Sequence, residues 1–246
     1  MEGVLVDGEI LNEIAKIMGV EREVCELTRK AMEGKLDFET ALKKRLELLK
    51  GFNNIGGMAR NMPLMPHVCE MVKELKENNH FVAMITGSFD AAAKIIAERL
   101  GIDAWASHKL ELEDECITGN FKLSFKDKAD VLNSLKQKLK PDYTAAIGDG
   151  ANDLNMLNGA DIGIAFRAKE ILKGRGFLEC EDLKDIMQLF CSKEINILLD
   201  NSIHPVSHKL FSIIGNVEVG DLSKKISRDA DVIVIRTKTK ANKEFI

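Results

Sequence analysis

Two aspartates four residues apart are the most informative chemical feature of this chain. Asp149 follows the short apolar run 145–147 and lies between Gly148 and Gly150, and Asp153 comes where a helix is expected to begin. Two carboxylates held this close repel each other unless a cation lies between them, and Mg²⁺ prefers oxygen ligands. The glycines let backbone amides approach an anion. The stretch therefore predicts a magnesium and phosphate site.

Two simpler interpretations of this stretch stay open on the residues alone. Gly148 and Gly150 begin a pattern like the dinucleotide-binding fingerprint, although Asp153 occupies the position of its third glycine. Asp153 could also be only the N-cap of a helix.

Two more polar signals fall where strands end or helices begin. Thr86, Gly87 and Ser88 follow a predicted strand at 81–85, so a hydroxyl and the amides of a helix start could face one phosphate. Lys128 lies near the start of a predicted helix and could neutralise a phosphate and a carboxylate together. A helix N-cap and a solvated lysine are the alternative interpretations.

Composition limits the class of protein. The chain has 246 residues, of which 45% are hydrophobic and 30% charged, as in a globular protein of one large domain or one domain plus a smaller piece. Its net charge of -4, without a basic stripe, argues against nucleic-acid binding. The five cysteines form no CxxC pair, no apolar run could span a bilayer, and no signal peptide is visible. We expect a cytoplasmic protein with no membrane partner.

The order of predicted elements indicates an α/β fold. Residues 9–50 have helical periodicity and predict a small helical bundle. From Pro63 onward, predicted helices at 68–75, 91–100 and 126–139 alternate with extended segments at 81–85, 104–112, 121–123, 144–147 and 162–165, and further helices are expected near Lys169 and Leu183. This alternation predicts a parallel sheet covered on both faces, with the ligand site at the carboxyl ends of its strands.

The polar signals, taken in chain order, resemble a known family. Thr86-Gly87, Lys128 and residues 148–153 resemble motifs two to four of the haloacid dehalogenase (HAD) phosphatases. Glu9, the run 31–38 and Arg45 resemble the cap of the phosphoserine phosphatase branch, and residues 164–169 also follow that branch, with Glu170 where a proline is usual. The resemblance covers residues 1–190 and implies a HAD-like Rossmannoid parallel sheet with a helical cap inserted at about residues 8–62.

The resemblance also implies a reaction, the Mg²⁺-dependent hydrolysis of O-phospho-L-serine to L-serine and phosphate in serine biosynthesis. An aspartate would attack the phosphate ester to form an aspartyl-phosphate, and a second carboxylate two residues later would act as general acid and then general base. Asp149 would be the direct Mg²⁺ ligand and Asp153 a second metal-side carboxylate. The positions carried over for the substrate are Thr86, Gly87 and Lys128 for the phosphoryl group, Asn152 beside it, Glu9 for the ammonium, Arg45 for the carboxylate, and Met32 and Phe38 as apolar walls.

The first motif of the family is incomplete in this sequence. In the matching register Glu2 is the second carboxylate, so the nucleophile would align one position before Met1, and Glu2 is longer than the usual aspartate. The strand that carries the nucleophile would be central, and about five buried apolar side chains at roughly 1.5–3 kcal/mol each exceed the stability of a typical domain. We therefore expect the true start to lie upstream. A non-catalytic phosphoserine- or Mg²⁺-binding homologue and a broader small-molecule HAD phosphatase remain alternatives.

Residues 194–246 predict a second, partial α/β module. Strands are expected at 195–200, 217–219 and 232–236, and helices at 205–214 and 222–226. Residues 229–237 and 243–244 resemble the start of a D-3-phosphoglycerate dehydrogenase, in which Arg236 would face an acidic substrate. No glycine-rich dinucleotide loop follows, so dehydrogenase activity is not expected. Such a fragment buries its faces poorly and would pack on the phosphatase, self-associate or belong to a longer fusion. His204 and His208 could hold a metal only with a third ligand.

Overall fold

The computed structural model describes residues 1–191, apart from the Met32 side chain, and residues 196–200, 216–220 and 232–234. The chain forms two compact units, residues 1–183 and residues 184–246. No helix in the described ranges is long and apolar enough to cross a membrane.

Three helices lie in the predicted bundle at residues 9–50: α1 (Ile10–Met18), α2 (Glu21–Met32) and α3 (Phe38–Leu48). A fourth helix, α4 (Ile55–Asn61), follows them and was not predicted. Helix α1 buries one apolar face and ends at Gly19, whose φ of 72° is left-handed. Helix α3 begins at Asp37, whose side chain accepts a hydrogen bond from the Thr40 N–H at 2.9 Å. Helix α2 packs on α1 and α3, and α4 packs on α1 and on the helix Asp90–Leu100.

The remainder of the first unit alternates helices and strands, which confirms the predicted α/β class. In chain order the elements are α5 (Val68–Glu77), β1 (Ala83–Phe89), α6 (Asp90–Leu100), β2 (Ala104–Glu113), β3 (Cys116–Lys122), α7 (Lys128–Leu139), β4 (Ala145–Gly148), α8 (Leu154–Gly159), β5 (Ile162–Phe166) and β6 (Leu178–Cys180). Helix α9 (Leu183–Cys191) begins at the last residue of this unit and continues into the second. Strands β1 and β2 pair in parallel, as do β4 with β5 and β5 with β6.

Strand β3 differs from the all-parallel expectation, because it pairs antiparallel with β2 in a hairpin. Asp114 and Glu115 form the two-residue turn between them with φ of 49° and 64°. Positive φ at both positions is the geometry that tight hairpins require. The usual Asn-Gly or Asp-Gly signal for such a turn is missing from the sequence.

The helix predicted near Lys169 was wrong. After β5 the chain makes a single turn, in which the Leu172 N–H donates to the Lys169 carbonyl at 2.8 Å. Gly174 and Gly176 follow with φ of 66° and 85°. Left-handed residues this soon after the first turn stop a helix from propagating.

The strands of the first unit form two sheets, one of β1, β2 and β3 and one of β4, β5 and β6. Helix α7 packs on both β1 and α8, and Ile85 of β1 packs on the apolar cluster that contains Ala146 of β4. Within the described residues, no strand pairs with the free edges of β1 and β4. The expectation that a central strand belongs between them stays a prediction.

The described part of the second unit is a parallel sheet with strand order β8-β7-β9, where β7 is Asn196–Asp200, β8 is Asn216–Gly220 and β9 is Val232–Val234. These bounds lie close to the three predicted strands. The predicted helices at 205–214 and 222–226, the pair His204 and His208, and Arg236 all lie outside the described residues.

We expect the apolar cluster beneath β4 and β5 to account for much of the stability of the first unit. Leu157 of α8 is 1% exposed within it. Leu157→Ala should lower the free energy of unfolding by about 2–5 kcal/mol, because lost burial and a residual cavity add. Urea unfolding measures this change. Leu139→Ala, at a position 43% exposed, is the matched control and should stay within about 0.5 kcal/mol of the unsubstituted chain. Equal losses in both variants would contradict the assignment.

Candidate active site

Asp153 is the most tightly held carboxylate at the carboxyl ends of the strands. It ends a short 3-10 turn, Ala151–Asp153. Its Oδ2 accepts hydrogen bonds from the N–H groups of Asp149 (3.0 Å) and Gly150 (3.3 Å), and its Oδ1 accepts one from the Lys128 ammonium at 2.7 Å. Burial alone would raise the pKa of Asp153, but Lys128 and the Asp149 N–H outweigh it and lower that pKa below its ordinary value. Asp153 is therefore ionised and forms a largely buried ion pair with Lys128.

Gly148 provides the space for this arrangement. A Cβ added at Gly148 would lie 2.3 Å from the Cβ and 2.6 Å from the Cγ of Asp153. These atoms belong to a side chain already fixed by three hydrogen bonds, so it has little freedom to move aside. The small residue at the end of β4 thus allows the turn to fold back under the strand.

Asp149 lies beside Asp153 with its carboxylate 17% exposed. Its Oδ2 is 2.7 Å from the ammonium of Lys169. Gly3 faces the same carboxylate, and a Cβ there would lie 2.8 Å from Oδ2 and 3.2 Å from Oδ1. Gly3 also has a φ of 80°, so both its backbone conformation and its contact favour glycine. The structure therefore brings the predicted first motif against Asp149.

Thr86 is 2% exposed in the middle of β1, because this strand continues to Phe89 and does not end at Ile85 as predicted. Its hydroxyl oxygen accepts a hydrogen bond from the Ser88 N–H at 3.0 Å. The residue at the N-cap of α6 is Phe89, whose side chain makes no capping bond. The N-cap interpretation of Thr86 and Ser88 is therefore not what the fold shows, and the exposed Gly87 between them leaves its backbone open.

The first two residues lie among these charged groups. The Met1 α-amino group is buried, and burial together with the Lys128 charge lowers its pKa to about 6, although Glu2, Asp153 and Asp149 oppose the shift. The Glu2 Oε1 accepts a hydrogen bond from the Ile10 N–H at 3.0 Å, so Glu2 caps helix α1. Burial raises the pKa of Glu2. A raised pKa favours the protonated form that a general acid needs.

Arg45 and Glu9 meet on the helical side of the site. The Arg45 Nη2 lies 3.8 Å from the Glu9 Oε2 and donates to the Asn12 Oδ1 at 3.4 Å. The Arg45 side chain is 14% exposed, burial lowers its pKa, and its Nε is buried without a hydrogen-bond partner among the described residues. A buried donor without a partner is costly, so Arg45 is suited to receive an anion.

Three substrate-side positions are less well defined by the structure. Phe38 is the first residue of α3 and is 51% exposed, and Asn152 is exposed in the turn before Asp153. The Met32 side chain lies outside the described atoms. Their predicted roles stay predictions.

The carboxylates of Asp149 and Asp153 are the candidate ligands for Mg²⁺. No group of three His, Cys, Asp or Glu side chains in the described residues is placed to hold a metal ion. Asp149 and Asp153 supply carboxylate oxygens only, and Mg²⁺ is usually held by one or two carboxylates together with substrate phosphate and water. The residues fit such a site and do not fit a metal enclosed entirely by protein ligands.

Lys169 is the site residue that sequence reasoning missed. Lys169 is the last residue of the run 164–169, which resembles the family, and this resemblance was the only feature of the sequence that could have pointed to it.

Comparisons with known proteins agree with this geometry. A family model for haloacid dehalogenase-like hydrolases matches residues 1–161. The chain is 36% identical over 196 residues to a phosphoserine phosphatase of Methanocaldococcus jannaschii, covering 76% of this chain and 93% of the relative. It is 35% identical over 195 residues to a phosphoserine phosphatase of Wolinella succinogenes, covering 76% and 95%. A solved structure described as a substrate-bound phosphoserine phosphatase complex matches with a TM-score of 0.69 at 36% identity, covering 76% of this chain and 93% of that one.

The contact at Gly148 gives a test of the Asp153 position. Gly148→Ala should lower the free energy of unfolding by about 1–3 kcal/mol, because the added methyl group overlaps a fixed side chain. Urea unfolding measures this. Gly159→Ala is the control, because its Cβ would lie 3.7 Å from the nearest atom, in Leu132, and no loss is expected. A Gly148→Ala variant as stable as the control would contradict the close approach.

Proposed function

This chain belongs to the haloacid dehalogenase-like hydrolase family, in its phosphoserine phosphatase branch, and we propose that it hydrolyses O-phospho-L-serine to L-serine and phosphate with Mg²⁺. The observation that carries the choice of substrate is the buried Arg45 guanidinium beside Glu9, because the Arg45 Nε has no hydrogen-bond partner in the part of the chain that the structure describes. An amino-acid head group needs one cation and one anion, and these two side chains supply them. We also propose a cytoplasmic role in serine biosynthesis.

Arg45 would bind the carboxylate of the substrate and Glu9 its ammonium group. A guanidinium can donate two parallel hydrogen bonds to a carboxylate, which fixes orientation as well as affinity. Glu9 is 48% exposed, so it can receive a solvated ammonium without prior desolvation. The third polar group, Asn12, already holds the Nη2 end of Arg45.

The phosphoryl group would lie between Thr86 in β1 and the carboxyl end of β4. Lys128 can donate to a phosphoryl oxygen while it stays paired with Asp153, because an ammonium has three donors. The Thr86 hydroxyl accepts the Ser88 N–H and keeps its own proton free to donate. Held at Asp149 and Asp153, Mg²⁺ would neutralise the negative charge that develops on the phosphoryl oxygens.

The proposed nucleophile is an aspartate directly before Met1. Its carboxylate oxygen would form a bond to phosphorus as the bond to the serine oxygen breaks, and the leaving oxygen would take a proton from Glu2. Water would then attack phosphorus, give its proton to Glu2, release phosphate and restore the aspartate. The burial of the Met1 amino group near Lys128, Asp149 and Asp153 supports this position.

Phosphate release tests the assignment directly. We expect the chain from Met1 to Ile246 to show no turnover of O-phospho-L-serine with Mg²⁺. A form extended upstream by an apolar strand ending in aspartate should turn over, and the same extension ending in asparagine is its control. Free phosphate is the measured product. Binding of phosphoserine without release by any form would instead favour a non-catalytic homologue.

The extended form also tests the role of Arg45. Arg45→Ala should lower kcat/KM for phosphoserine by about 30-fold or more, because it removes a desolvated charge partner. Hydrolysis of an aryl phosphate without an amino-acid head group should change little. Arg29→Ala is the matched control, since Arg29 is 53% exposed and forms ion pairs with Glu26 and Glu33 on the surface of α2. Parallel losses on both substrates would show that Arg45 is not a specificity residue.

A further inference from the structure

The turn after β5 carries Lys169 to the active-site edge. Arg167 has a φ of 44°, and its N–H donates to the Cys180 carbonyl at 2.9 Å. Two residues later the Lys169 N–H donates to the Asp149 carbonyl at 3.0 Å. The segment is thus bonded to β6 on one side and to the Asp149 loop on the other, so Lys169 has a defined place beside Asp149.

The Lys169 side chain then adds a second bond to the same residue. Its Nζ lies 2.7 Å from the Asp149 Oδ2. The two partners differ in freedom, because the lysine side chain is 63% exposed whereas the aspartate is 17% exposed. The ammonium can therefore move into solvent while the carboxylate stays in place.

The ion pair between Lys128 and Asp153 differs from the Lys169 pair, because both of its partners are buried. Lys128 and Asp153 are 14% and 7% exposed, so separating them would leave two buried charges without partners. Lys128 is a fixed cation of the site and Lys169 a displaceable one.

We propose that Lys169 is a counter-ion that competes with Mg²⁺ for the Asp149 carboxylate and leaves when the metal ion binds. This inference rests on the proposed function, in which Asp149 is the metal ligand. The Lys169 ammonium already bonds to the Asp149 Oδ2 and would stand beside a Mg²⁺ ion held about 2.1 Å from this carboxylate, so the two cations would repel each other. Binding of the metal ion therefore breaks the Lys169 pair, and the lysine returns to Asp149 when the metal ion leaves. Lys169 is a positioning residue in this scheme and has no contact with the reacting atoms.

Metal affinity, measured without any turnover, tests the proposal. The full chain is titrated with Mn²⁺, and free Mn²⁺ is monitored by electron paramagnetic resonance to give the dissociation constant for Mn²⁺. Displacement of the bound Mn²⁺ by Mg²⁺ gives the dissociation constant for Mg²⁺. Lys169→Met should bind Mn²⁺ about two- to five-fold more tightly, the range expected from losing an exposed ion pair. Lys169→Arg keeps the charge and should match the unsubstituted chain. Lys173→Met is the control, because Lys173 pairs with Glu170 in the same turn and not with Asp149.

The possible results separate this inference from the proposed function. An unchanged or weaker affinity in Lys169→Met would overturn the competition, even where the extended form hydrolyses phosphoserine. If Asp149→Asn binds Mn²⁺ as well as the unsubstituted chain does, Asp149 is not the ligand, and the inference falls together with the metal assignment. If no form binds Mn²⁺, there is no metal ion for Lys169 to compete with, and the inference is overturned as well. Tighter binding by Lys169→Met alone, lost again in the Asp149→Asn and Lys169→Met double variant, is the supporting result.

Discussion

The ion pair between Lys128 and Asp153 is the interaction on which the rest of the site depends. It joins α7 to the turn after β4, and the same carboxylate accepts the two N–H groups that shape the loop carrying Asp149. The pair is stable because no side chain at Gly148 competes for the space. The loop that carries Asp149, and through it Lys169, is placed relative to this fixed point. The Lys169 N–H bonds to the Asp149 carbonyl, and the Lys169 ammonium pairs with the Asp149 carboxylate. Gly3 lies against the same Asp149 side chain.

The central arrangement was predictable because it is local in sequence. Glycines on both sides of Asp149, after an apolar run, dictate a strand followed by a tight turn, and a spacing of four residues brings Asp153 beneath it. Lys128 was predicted only as a lysine that could neutralise a phosphate and a carboxylate together, and the structure pairs it with Asp153. The positions of Glu9 and Arg45 came from family resemblance. Without it, charges on amphipathic helices are typical of solvent-facing surfaces.

The features that sequence reasoning missed depend on contacts between distant residues. Lys169 lies twenty positions from Asp149, and only the left-handed backbone at Arg167 turns it toward the site. The β2–β3 hairpin uses Asp114 and Glu115, which carry no strong turn signal, so its antiparallel pairing could not be distinguished from a crossover. Glycines beyond Lys169 stop a helix that local periodicity favours. In each case a backbone conformation enforced by tertiary contacts overrides the local pattern.

Glu2 links the proton transfers of the proposed reaction to the start of helix α1. The carboxylate proposed to deliver and recover a proton is also the acceptor that starts α1, the helix next to Arg45 and Glu9. An ionised acceptor holds an N–H about twice as strongly as a neutral one. Each protonation of Glu2 therefore loosens the first turn of α1, and each deprotonation tightens it again. The proposed acid–base chemistry and the start of α1 therefore depend on the same hydrogen bond, from the Ile10 N–H to Glu2.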